Sequence, residues 1–211
     1  MKRAFIVSMI MAMVLVCAIQ ADAALQNLGT DSLGNRLIYD TDLNITWYDY
    51  THFATIWQNQ VNWASGLSVT FGSNVYTDWR LPITFDQTCE GYNCTNSEPG
   101  HLYYTELGNT GGLPLNNPGD FQHLQPGNYW LGTEYAANTC CARIFDFSHG
   151  AQGALNKTIS NYAIAVRPGL AVAVVPEPVS SILFVVGGAS LGIRRFWRIS
   201  NHKSSYGGSE L

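Results

Sequence analysis

The residues able to do chemistry in this 211-residue chain are few and scattered. Five cysteines are present: Cys17 lies in an N-terminal apolar run, and the others form two close pairs, Cys89/Cys94 and Cys140/Cys141. Four cysteines in an exported chain predict disulfides, with three connectivities open. Adjacent cysteines bond only through a distorted peptide geometry, so the favoured expectation staples the Cys89/Cys94 loop to the Cys140/Cys141 loop. Each bridge would contribute about 2–4 kcal/mol. His52, His101, His123 and His149 show no metal-ligand spacing. Asp40 and Asp42 lack the glycine and terminal glutamate of a calcium loop. Glu98, Glu106 and Glu134 are scattered carboxylates with no reason to select two. No nucleophile elbow or phosphate loop is found. The expectation is therefore no catalytic residues, no metal and no cofactor.

Two arginines have a more definite setting. Arg80 lies in Asp78-Trp79-Arg80-Leu81-Pro82, and Arg167 in Ala165-Val166-Arg167-Pro168. Each places a guanidinium at the proline-stopped end of an apolar stretch. A planar five-donor fork there predicts a structural tie to loop carbonyls or a carboxylate, with Asp78 a candidate partner for Arg80.

The elements that must position these residues are short. Arg36–Tyr39 and Asn44–Trp47 alternate about Asp40-Thr41-Asp42-Leu43, which predicts an opening hairpin. Phe53, Trp57, Val61 and Ala64 recur at helical steps, with Ile56, Trp63 and Leu67 widening the stripe. That predicts a helix capped by Thr51 or Thr55, ended by Gly66, with its aromatics in the core. A strand is expected over Val75–Leu81. A second helix is expected from Ser97-Glu98-Pro99 to Gly108 or Asn109, packed through Tyr103 and Leu107. Gly111–Gln125 reads as an irregular loop. Strands follow at Asn128–Thr133, Arg143–Phe147 and Asn161–Arg167, with Ala151–Leu155 a further candidate.

Only 12% of the residues are charged, 12% are aromatic and 20 are glycine, a balance that favours short strands and turns. Between Ala24 and Val175 there are five basic and twelve acidic residues, a net charge of −7. An acidic domain without a basic stripe excludes nucleic acid as an expected partner.

Both ends read as addresses around a single domain over 24–175. Residues 1–23 combine Lys2-Arg3, the apolar run Phe5–Ile19 and Ala21-Asp22-Ala23, as in a secretory signal peptide. Pro176-Glu177-Pro178 precedes the apolar run Val179–Ile193, which Arg194, Arg195 and Arg198 follow. Fifteen helical residues rise about 22 Å against a hydrocarbon core of about 30 Å. This predicts a short transmembrane helix within the segment 176–198, with its arginines in the cytoplasm, then a polar tail over 199–211.

The Pro-Glu-Pro, short span and basic cluster resemble the PEP-CTERM sorting signal of exopolysaccharide-producing Gram-negative bacteria. The resemblance implies signal peptidase and exosortase as processing partners. It also implies an inner-membrane intermediate and release to the cell surface or extracellular matrix. Leu33–Gly169 resembles the Lcl C-terminal domain family, a C-type-lectin-like module. The matching pieces are Thr46-Trp47, Val61-Asn62-Trp63-Ala64, Asp78-Trp79-Arg80-Leu81-Pro82, Tyr129-Trp130-Leu131-Gly132-Thr133-Glu134 and Ala165-Val166-Arg167-Pro168.

That likeness implies an α+β fold with two helices on small antiparallel sheets and long irregular loops. Its terminal strands would pair, with Arg36–Tyr39 beside Ile164–Arg167. It implies a non-enzymatic role, with a polysaccharide as the candidate ligand. Asn116, Asn117, Asp120, Asn128, Glu134, Tyr135 and Asn138 would supply amides, carboxylates and an aromatic face for it. The alternatives are a structural matrix protein without a specific ligand and, ranked last, a thiol-dependent oxidoreductase distantly similar to formylglycine-generating enzymes.

Overall fold

The computed structural model describes residues 24–173. The segments read as signal peptide, sorting signal (with Pro176, Glu177, Pro178, Arg194, Arg195 and Arg198) and polar tail lie outside the described residues. Among the described residues no helix is long and apolar enough to cross a membrane.

Period-two alternation of apolar residues builds the scaffold. Strands β1 (Leu25–Thr30), β2 (Arg36–Asp40) and β3 (Ile45–Thr55) form a meander, followed by helix α1 (Trp57–Ser65). A small hairpin, β4 (Val69–Phe71) and β5 (Asn74–Tyr76), comes next. Helix α2 (Glu98–His101) runs directly into a π-helical turn, Leu102–Glu106. Strands β6 (Asn128–Glu134), β7 (Cys141–Asp146), β8 (Ala151–Asn156) and β9 (Asn161–Pro168) complete the domain. The fold is mixed α+β, and seven of the strands form one sheet in the order β1-β2-β3-β9-β6-β7-β8.

Both faces of that sheet are buried. Along β9, Ala163 and Ala165 point into a core with Trp57, Ala64, Trp79 and Trp130. Ile164 and Val166 point into a second core with Trp47, Leu102, Tyr103 and Phe145. Successive side chains on a strand face opposite ways, so one strand serves both. α1 and the β4–β5 hairpin cover the first face; the π-turn and the loop after it cover the second.

Several expectations are corrected. The sheet is not a set of small antiparallel ones: it is continuous, and β6 and β9 run parallel at Tyr129↔Tyr162. The terminal strands do not pair. β9 lies against β3 (Trp47↔Val166), while Arg36–Tyr39 sits between β1 and β3. β1, whose Leu-Gln-Asn-Leu-Gly-Thr sequence carries little strand signal, takes the outer edge. The central place goes to β9, beside the 11-residue β3, whose first five residues are all buried.

The first helix begins at Trp57, not near Phe53, and neither threonine caps it. Its N-cap is Ile56, without a side-chain cap bond, and the Trp57 amide donates to the Lys157 carbonyl (3.0 Å). A loop carbonyl thus satisfies a donor that a hydroxyl otherwise would. Gly66 ends the helix as expected. The strand expected over Val75–Leu81 stops at Tyr76 because Trp79 turns into the first core, its Nε1 donating to the Tyr76 carbonyl (3.0 Å). Arg80 then makes one antiparallel bridge to Val166. Around α2, Ser97 caps the first turn by accepting from the Gly100 amide (3.0 Å), and Tyr103 and Leu107 enter the second core.

Candidate ligand-binding surface

β3 outruns its neighbour. Its pairing with β2 ends at Asp49↔Arg36, and its register against β9 shifts between Tyr48 and His52 and again before Thr55. These bulges turn the outer half of the strand toward α1 and create a line of rings. Buried Trp79 and Tyr48 lie 5.4 Å apart, Tyr48 and Tyr50 6.0 Å, and Tyr50 and Trp63 6.2 Å. His52 stacks on Trp63 at 4.4 Å with only 6° between planes, and Phe53 lies 4.2 Å from His52. The line emerges from the core as it proceeds: Tyr50 is 38% exposed and Phe53 66%.

The shelf is held from beneath. Gln60, fully buried, donates through Nε2 to the carbonyls of Phe53 and Asn161 (2.8 Å each). Its Oε1 lies 2.6 Å from His52 Nδ1, so that ring nitrogen carries the proton in this contact. Gln58, Asn59 and Asn62 are exposed on the same helix, with Gln58 Nε2 donating to Asn62 Oδ1 (3.0 Å). Rigid ring faces beside amides can take a ligand that offers an apolar face and hydroxyls together. The reading that put Phe53 and Trp63 in the core with Trp57, on one helix, missed the shelf. The signal was the alternation Tyr48, Tyr50, His52, which extends the strand past the expected helix start.

The loop residues expected to bind are mostly consumed by the fold. Asn117 donates through Nδ2 to the Leu107 carbonyl (2.5 Å) and accepts from the Gly119 amide (3.2 Å). The Asp120 carboxylate lies 3.8 Å from Arg36, Glu134 pairs with Lys157 (2.9 Å), and Tyr135 lies under the Arg143 guanidinium. Asn138 accepts from the Cys140 amide (3.1 Å), Asn128 pairs with Asp146 at the start of β6, and Asn116 is exposed. Turn chemistry and local ion pairs engage most of this set.

The structural arginines act as expected, with different partners. Arg80 donates to both oxygens of Glu98 (2.8 and 2.6 Å) and to the Leu81 carbonyl (3.0 Å). Asp78 instead accepts from Arg167 Nε and NH2 (2.9 and 3.0 Å), and that guanidinium covers the Tyr76 ring.

The crossed cystine expectation is also corrected. Cys89 bonds to Cys94, closing a loop whose Cα atoms stand 5.7 Å apart, within ordinary disulfide reach. Cys140 and Cys141 remain thiols with their sulfurs 2.7 Å apart. The contact with Cys140 holds the Cys141 thiol above its usual range, which works against thiolate chemistry there. The tie between the two regions exists, but it is made by Arg143. Fully buried on β7, it binds Glu90 (2.9 Å) and the Gln87 carbonyl.

A second constellation is invisible to sequence spacing. Asp40, His101 and Glu106 each offer a ligand atom, all within 4.8 Å of one another. Burial, the leading cause for each, raises both carboxyls above the usual range. No protein-family model, curated protein or solved structure matches the chain.

Proposed function

We propose that this chain is an exported, non-enzymatic binding module of the bacterial cell surface or exopolysaccharide matrix, with a C-type-lectin-like fold of the Lcl type. A glycan is its ligand, and the ring shelf of Tyr50, His52, Phe53 and Trp63 is the surface that takes it. The observation that carries this reading is the exposure of Phe53 and Tyr50 at the end of a stacked, Gln60-braced run of rings. Contiguous exposed apolar surface marks interaction sites and ligand-binding grooves. Pyranose rings present an apolar face with hydroxyls at the edge, which suits exposed rings accompanied by the exposed amides Gln58, Asn59 and Asn62 of α1.

Delivery rests on the two terminal segments: signal peptidase at the first, then exosortase at Pro176-Glu177-Pro178 after a transient stay in the inner membrane. Intact mass of the protein from its native host reports both cleavages.

Matrix polysaccharide fragments titrated into the intact chain, followed by tryptophan fluorescence, test the binding reading. Phe53→Ala and Tyr50→Ala each weaken binding by about 10-fold or more, the scale of an aromatic hot spot. Asn116→Ala in the 111–125 loop leaves binding unchanged. Absence of binding, with and without calcium, transfers the conclusion to the second reading, a structural matrix protein. The engagement of Asn117, Glu134 and Asn138 in the fold itself favours that alternative.

A further inference from the structure

We infer that Asp40, His101 and Glu106 form a binding site for one borderline divalent cation of the zinc class, linking the β2–β3 turn to α2. The donors come from two segments about 60 residues apart in sequence. Asp40 ends β2, His101 ends α2 and Glu106 ends the π-turn. The π-turn is what aligns the last two. Five residues on an α-helix place side chains about 140° apart, whereas the wider turn brings His101 Nε2 within 2.9 Å of Glu106 Oε1. Single π-turns are concentrated at functional sites.

The charges around His101 favour a cation. Asp40 is wholly buried, the Glu106 side chain is only 5% exposed, and the carboxylate of Asp42 lies 3.9 Å from His101 Nε2 on the solvent side. Three carboxylates therefore surround one imidazole. Among the described residues, no lysine or arginine pairs with any of them. Buried charges are paired or coordinate metals.

Hydrogen bonding leaves the same gap. Asp40 Oδ1 accepts from the Leu43 amide (2.9 Å), while its Oδ2 has only a long contact to Trp47 Nε1 (3.5 Å). Among the described residues, Glu106 has a single hydrogen-bond partner, His101, for two oxygens with about four acceptor positions. Its other oxygen accepts from no described residue.

The donor chemistry selects the ion. One imidazole nitrogen and two carboxylates suit zinc, with bonds of about 2.0–2.2 Å and a fourth position for water or Asp42. Tetrahedral donors at that radius stand about 3.4 Å apart, close to the 2.9 Å between His101 and Glu106. Calcium takes six to eight oxygens, more than this cluster supplies. The site is separate from the ring shelf and stands whether or not a glycan binds there.

Zinc added to the intact, tag-free, EDTA-stripped chain tests the inference. Cys140→Ser and Cys141→Ser are included in the background so that the vicinal thiols cannot bind the metal. Equilibrium dialysis should retain one zinc per chain, at least 10-fold more tightly than calcium, and saturating zinc should raise the Tm. Outer ligand-supporting residues are typically worth 10–100-fold in affinity, so direct donors cost at least about 100-fold. Glu106→Gln and His101→Gln should both show that loss and abolish the Tm rise. Glu106→Gln preserves shape and, by far-UV circular dichroism, should fold like the parent. No retained zinc in the serine background, or parental affinity in a folded Glu106→Gln chain, overturns the site.

Discussion

Glu98 accepts two guanidinium bonds from Arg80 and one from the Ile83 amide (2.8 Å), while only 2% of its side chain reaches solvent. Removing the guanidinium strands a buried carboxylate, so Arg80→Ala should destabilise by on the order of 3 kcal/mol. Adding Glu98→Gln should recover part of that loss, because the stranded group is then neutral. Urea denaturation of both variants checks this, and equal stabilities would refute the pairing argument.

The Asp78–Arg167 pair is of another kind, since Asp78 is 48% exposed. Arg167 holds the Asp78 carboxyl below its usual range. An unfolded aspartate titrates at about 3.9, so the pair's contribution is fully present above that pH. It disappears as pH falls through the lower folded value. After solvent screening it amounts to less than about 1 kcal/mol. The stability gap between the parent chain and Asp78→Asn should therefore be constant from about pH 7 to 5 and close at more acid pH.

Elements were legible where a local signal suffices. The Arg36–Tyr39 and Asn44–Trp47 hairpin, the Ser97 cap and the last strands follow from alternation, turn residues and a hydroxyl three positions before a free amide. Partners were not legible, because they are set by the fold at long range. Asp78 and Glu98 lie 2 and 18 residues from Arg80, and the nearer one is not its partner. His101 and Asp40 meet only because β2 and the π-turn after His101 share the second face of the sheet.

The cysteines belong at this scale too. Differential alkylation should label Cys140 and Cys141 directly, and Cys89 and Cys94 only after reduction. Protection of either of the first two by a bond to Cys89 or Cys94, read by peptide mapping, would restore a crossed bridge. The cystine loop leaves no room against α2, where a Cβ at Gly100 would overlap the Cys94 carbonyl oxygen. Gly100→Ala should therefore separate the two elements, seen as a lowered Tm and faster reduction of the Cys89–Cys94 bond.

At the scale of the whole domain, both sheet faces are buried, and the second face carries most of the large side chains that are completely enclosed, Trp47 among them. Trp47→Ala should cost about 3–5 kcal/mol, whereas Phe53→Ala, 66% exposed, should leave the Tm within error while weakening the proposed glycan binding about 10-fold. That contrast distinguishes residues kept for the fold from residues kept for recognition.

The placement of β9 has a mechanical consequence. The last of the described strands to be synthesised lies between β3 and β6, and Gly169 and Ala171 just beyond it still bond to Asn44 and Thr46. Until that strand arrives the meander has an open edge, so completion of the sheet waits on a contact of high sequence separation and is slow. Once complete, tension applied beyond Ala173 enters through an interior rung flanked on both sides, where bonds must shear together, instead of an outer strand that could be unzipped one bond at a time.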